Sequence, residues 1–136
     1  SGSYLTDGYF HRNRFRECKL MGADLCQGNF QEMILVECNL GYSNWDQGRW
    51  RNIFYQACDC ERAFFSEGRM KNVYWENCRL VGVHFFRTSL AGMDFTQCEL
   101  GRITVSDTFA ELHGARVTAM QALDLSRLLG IEIVSE

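Results

Sequence analysis

Residues 18–40 read CKLMGADLCQGNFQEMILVECNL, and what falls at every fifth place in them decides the fold. Leu20, Leu25, Phe30, Leu35 and Leu40 are all apolar. Followed outward, the beat runs from Leu5 to Val105 through Phe10, Phe15, Trp45, Trp50, Tyr55, Cys60, Phe65, Met70, Trp75, Leu80, Phe85, Leu90, Phe95 and Leu100. No polar residue interrupts it, in a chain that is only 46% hydrophobic. A fixed internal period is the mark of a repeat architecture.

A second column stands two residues before each centre. Cys18, Cys38, Cys58, Cys78 and Cys98 recur every twenty residues. Gly8, Gly28, Gly48 and Gly68 do the same, as do Ala23, Ser43 and Ala63, and the bulkier Met33, Ile53, Val73 and Met93. A period of five is therefore nested in a period of twenty. Five residues turn an α-helix by about 500°, so the apolar position would leave any one face. Five is also odd, so in a continuous strand successive centres would point to opposite sides. The pattern closes only if the chain turns a corner once per repeat. Four corners make a square coil, with each centre and the residue two before it facing inward. The three remaining positions face water, and most Arg, Glu, Asp, Gln and Asn fall there.

Ala23-Asp24-Leu25, with Cys38-Asn39-Leu40 as a close variant, resembles the A-(D/N)-L-X-X unit of the pentapeptide-repeat family. The resemblance implies an all-β solenoid, a right-handed quadrilateral β-helix of about five coils over residues 3–107. Trp45, Trp50, Tyr55 and Trp75 stand at centres that usually hold Leu or Phe, so a swollen or locally distorted interior is expected there. Residues 1–2 read as a tag remnant or a disordered end, because Ser1-Gly2-Ser3 opens the chain without an initiator Met.

Residues 108–136 read as a C-terminal cap, which a stacked solenoid needs over its exposed interior and strand edges. Thr118 and Gln121 have capping-box spacing, Gly130 is a left-handed stop, and a helix over 118–129 and a short strand over 131–134 are expected. Met120, Leu123, Leu128, Ile131 and Ile133 carry more apolar surface than one contact needs, so a homodimer through this end is expected. The tail also resembles that of the quinolone-resistance (Qnr-type) pentapeptide proteins, a resemblance that implies the same C-terminal dimer and makes DNA gyrase or topoisomerase IV a candidate partner, bound through mimicry of a duplex.

The chain of 136 residues is sized for one domain, with formal net charge −3, no Pro and seven Cys. No apolar run nears the roughly 20 residues of a membrane span. A straight cysteine column rising about 4.8 Å per coil cannot wrap tetrahedrally around a metal, and an odd thiol count argues against a disulfide framework. Reduced, packed thiols and a cytoplasmic location are expected. No phosphate loop, dinucleotide fingerprint or nucleophile motif occurs, so neither enzyme activity nor a cofactor is expected. Function is expected on the outside. Ile34, Phe54 and Tyr74 form an apolar column near an acidic line of Glu17, Glu37 and Glu76. Arg12, Arg49, Arg51, Arg69 and Lys71 gather as a basic patch, with His11 and Arg14 close by. The reading is a non-catalytic scaffold for a protein partner. Gyrase mimicry and direct nucleic-acid binding by the basic patch are the alternatives.

Overall fold

The computed structural model describes residues 9–11 and 13–135, with side-chain surroundings from residue 13 onward. The described residues wind into a β-solenoid of about four turns with a short C-terminal helix. Its strands in chain order are β1 (Tyr9–His11), β2 (Arg14–Arg16), β3 (Asn29–Val36), β4 (Arg49–Gln56), β5 (Arg69–Glu76), β6 (Arg79–Val81) and β7 (Glu99–Gly101). Between these strands all pairing is parallel, with the partner twenty residues on: Phe30 pairs with Trp50, Trp50 with Met70, and Leu80 with Leu100. β3, β4 and β5 each cover two adjacent sides of the coil and stack into one sheet, with β1 and β2 both under β3. The other two sides are held largely by single bridges such as Asn44 to Phe64 and Phe64 to His84.

Two local devices make the corners. Two residues after nearly every centre the backbone is left-handed, as at Gln27, Glu37, Gln47, Ala57 and Glu67, and at Gly22, Gly82 and Gly92. One residue before several centres an Asp or Asn side chain accepts from the amide two residues on: Asp24 from Cys26 at 3.1 Å, Asn44 from Asp46 at 2.9 Å, Asp59 from Glu61 at 3.1 Å, Asp94 from Thr96 at 2.8 Å. That is an Asx turn, and it gives the Asp/Asn of the repeat its physical reason.

The predicted centres form the core: Leu25, Phe30, Leu35, Leu40, Phe65, Leu80, Phe85, Leu90, Phe95 and Leu100 are buried, as are Cys38, Cys58, Cys78 and Cys98. Cys18 and Leu20, in the first described coil, are partly buried against it. Of the swelling or local distortion expected at the aromatic coils, no distortion shows in the strand pairing. Register holds through all three long strands, and the glycine column provides the room. A Cβ on Gly48 would lie 2.7 Å from Trp50 Cη2, and one on Gly68 would lie 2.6 Å from Trp50 Cζ3. The polar ring tips are also satisfied inside. Trp45 Nε1 donates to Ser43 Oγ at 2.7 Å and Trp50 Nε1 to the Tyr55 hydroxyl at 2.9 Å.

After Val105 the beat breaks. Asp94 pairs with Arg116, twenty-two residues on, where His84 still pairs with Thr104, twenty on. A 3₁₀ turn at Ala110–Leu112 takes up the extra length. The capping box at Thr118 is formed, but the expected helix over 118–129 divides into α1 (Ala119–Leu125) and a 3₁₀ turn at Ser126–Leu129 before left-handed Gly130. The expected strand over 131–134 is absent. Ile131, Ile133 and Val134 are exposed, and among the described residues no strand pairs with them. Among the described residues no helix is long and apolar enough to cross a membrane.

Candidate functional site

The cysteine column is packing. Cys58 Sγ donates to the Leu35 carbonyl at 3.3 Å and Cys78 Sγ to the Tyr55 carbonyl at 3.3 Å, each one coil below. All seven cysteines are free. Burial pushes the Cys38 thiol up to about 11 and the Cys60 thiol well above its ordinary value, so neither supplies a thiolate at neutral pH. Among the described residues no three His, Cys, Asp or Glu side chains converge as metal ligands.

Candidate chemistry lies on the outer side of the β3–β4–β5 sheet. The described residues just before its centres are Asn29, Arg49 and Arg69 on one side and Arg14, Ile34, Phe54 and Tyr74 on the other, so of these Asn29 alone has the side chain that forms the Asx turn of the other sides. One column runs Arg14, Ile34, Phe54, Tyr74 in register. Phe54 and Tyr74 stack with centroids 6.2 Å apart. Tyr74 is 55% exposed, while Phe54 and Ile34 are half-buried, so the predicted stripe is exposed most at its top rung. The expected acidic line beside it does not form. Glu17 and Glu37 share a corner column, but Glu76 stands one position nearer the stripe, above Gln56, which donates to it at 3.2 Å. Glu37 also pairs with Arg16 at 3.8 Å.

The adjacent side carries the basic group. Arg49 stands in register with Arg69, and Arg51 with Lys71, on either side of the centres Trp50 and Met70. All four cations are exposed, and among the described residues none of them forms an ion pair. They line one shallow groove together with Asn29, Gln31, Gly68 and Ser89. Arg12 lies outside the described residues. Arg14 does not belong to the group, because it sits under Ile34 on the neighbouring side. Arg87 does line the groove and was missed in the sequence, because it occupies a corner position of the preceding side.

At the C-terminal end Met120, Leu123, Leu129, Ile131, Ile133 and Val134 are exposed and Leu128 is half-buried. Unforeseen in the sequence is buried Glu111. Its carboxylate accepts from the amides of Arg87 and Ser106, both at 2.8 Å, and from the Ser106 hydroxyl at 2.9 Å. Burial alone would raise this carboxyl, but the amide donations outweigh it and hold it below the usual range. Only the register shift after Val105 brings Glu111 to that place, and no residue pattern announces the shift.

Neither a family model nor a curated protein sequence matches the chain. Solved structures do. HetL, a pentapeptide repeat protein involved in heterocyst differentiation regulation in the cyanobacterium Nostoc sp. strain PCC 7120, superposes with TM-score 0.70 at 19% identity over 74% of this chain. The fold is the pentapeptide-repeat β-helix. This chain covers 43% of HetL, less than half of that protein's length. A pentapeptide repeat protein of the Arabidopsis thaliana thylakoid lumen gives TM-score 0.50 at 20% identity, over 98% of this chain and 91% of that one. A trypsin-treated form of QnrB1, a plasmid-mediated fluoroquinolone resistance protein, matches over 99% of this chain and 100% of that one at 15% identity, with TM-score 0.26. At these identities the likeness to other pentapeptide-repeat structures is one of fold.

Proposed function

We propose that this chain is a non-catalytic, cytoplasmic binding scaffold that presents the β3–β4–β5 side of its solenoid to a protein partner, with a second copy docked on its C-terminal end. The observation that carries the reading is the in-register stripe Ile34–Phe54–Tyr74, whose stacked upper rings leave Tyr74 more than half exposed on one side of the sheet. A large exposed ring beside half-buried apolar neighbours is the usual make-up of an interface anchor. The exposed apolar residues at Met120, Leu123, Ile131 and Ile133 support the docked second copy. Gyrase mimicry has less support: no outward column among the described residues carries more than two successive carboxylates, and Arg79 stands between Asp59 and Glu99, 3.5 Å and 3.7 Å away. A photo-crosslinking residue tests the scaffold reading. Benzoylphenylalanine at Tyr74, irradiated in cells of the source organism, is expected to yield one discrete protein adduct, and the same residue at Tyr42 on another side none. Equal adducts from both positions, or none from Tyr74, would contradict it.

A further inference from the structure

Arg49, Arg69, Arg51 and Lys71 form two like-charge pairs, each stacked across one coil step of about 4.8 Å on a parallel sheet. Like charges directly opposite each other on neighbouring strands destabilise a sheet. Elsewhere some cations are neutralised, although among the described residues Lys19, Arg62 and Arg102 form no ion pair either. Arg79, in an equivalent outward column, is met by Asp59 at 3.5 Å, Glu61 at 2.8 Å and Glu99 at 3.7 Å. The four-cation group has no such partner among the described residues, no carboxylate lines its groove, and Arg87 adds a fifth positive charge to the rim. No described side chain supplies the group with a counter-charge.

Geometry narrows its source. Arg49 and Arg51, two residues apart on one strand face, project side by side about 6.6 Å apart, and Arg69 and Lys71 repeat that spacing on the next coil. Alternate residues of any extended chain have the same spacing. Guanidinium forks bind carboxylates bidentately. A single-stranded nucleic acid also needs ring faces for its bases, but Trp50, the aromatic centre between the cations, is buried. We propose that this groove binds an extended acidic segment of the protein partner, with carboxylates at alternate residues lying over Arg49–Arg51 and Arg69–Lys71. The site rests on the scaffold reading above and gives its partner a chemistry.

The probe is a fluorescein-labelled decapeptide of alternating Glu and Ser, followed by anisotropy against the full chain at 50 and 200 mM salt. Comparators are a block peptide of the same composition and a twenty-residue oligothymidine. Expected is saturable binding of the alternating peptide that is weaker at the higher salt. It is also expected to be at least tenfold weaker in a variant carrying Arg49→Gln, Arg51→Gln, Arg69→Gln and Lys71→Gln, and unchanged in Arg62→Gln/Arg102→Gln. The four-fold variant relieves repulsion, so its thermal midpoint should equal or exceed the parent's. Should it fail to fold, Arg51→Gln/Lys71→Gln is measured instead, with at least a threefold loss expected. No saturable binding at 50 mM salt, equal affinity in the Gln variants, or tighter binding of oligothymidine than of the peptide overturns the site. Loss of peptide binding with the Tyr74 adduct intact overturns the site and leaves the scaffold standing. Loss of the adduct with peptide binding intact does the reverse.

Discussion

Gly48 shows how one missing methyl group sets the width of the interior. A Cβ there would meet Trp50 Cη2 at 2.7 Å and the Trp45 carbonyl oxygen at 3.0 Å. Gly48→Ala is therefore expected to cost about 1–3 kcal/mol in urea unfolding. In a double-mutant cycle Trp50→Leu should cancel most of that loss, because the two share one space. Strict additivity would show that the glycine serves some other purpose. At Glu111 the governing effect is charge. Its folded carboxyl lies below the ordinary value of 4.5, so its contribution is complete above that value and is lost as the pH falls through the folded one. Glu111→Gln should lower stability by about 2 kcal/mol at pH 7, the scale of hydrogen bonds to a charged group. The gap between parent and variant should close under acid, and a gap independent of pH would contradict the assignment. The glycine role could be read from the sequence, because Gly recurs every twenty residues beside the large centres. The Glu111 role could not, because it depends on a two-residue slip that nothing in the pattern marks.

At the scale of elements, α1 is hydrogen-bonded to the solenoid through Gln121, while Leu125 packs against the core. Gln121 completes the capping box by accepting from the Thr118 amide at 2.9 Å, and its Nε2 donates to the carbonyls of Phe95 at 2.8 Å and Cys98 at 2.9 Å. The helix thereby ties itself to two carbonyls of the last coil, one of which, Phe95, also accepts from the Cys98 amide. Gln121→Glu removes both donors and sets a carboxylate against two carbonyl oxygens. A loss of about 2–3 kcal/mol at pH 7 is expected, partly recovered near pH 4 as the acid regains a proton to donate. An unfolding midpoint equal to the parent's at pH 7 would show that the helix is held by its apolar contacts alone. The box and its Gly130 stop were legible because capping is local chemistry. The absent strand over 131–134 was not: its alternating Ile131 and Ile133 need a partner edge, and no described strand lies beside them. The corners were equally silent, since Glu, Gln, Asn, Arg and Tyr hold left-handed positions alongside Gly. Interior centres must be apolar, whereas a corner constrains backbone more than side-chain identity.

For the whole molecule, a twenty-residue coil turns sequence spacing into address: residues twenty apart share a column, and each column has its own chemistry. The columns could be read directly, yet neighbouring columns were harder to place, which is why Glu76 was set in the wrong line and Arg87 was left out of the basic group. At the C-terminal end the exposed Met120, Leu123, Ile131 and Ile133 should make light scattering report a dimer at high micromolar concentration, and Leu123→Glu should return the mass to that of a monomer. A monomer in the parent chain at that concentration would remove the second copy from the account. The central claim concerns which side of the rod is used, and oxidisable side chains stand on several sides to report it: Tyr74, Phe54 and Met70 on the sheet side, Met21, Tyr42 and Phe86 elsewhere. The most direct measurement is hydroxyl-radical footprinting of the chain with and without the partner captured at Tyr74. Protection is predicted at Tyr74, Phe54 and Met70, with Met21, Tyr42 and Phe86 oxidised as in the free protein. Protection of Met21 and Tyr42 with Tyr74 unchanged would place the binding surface on another side and contradict the account.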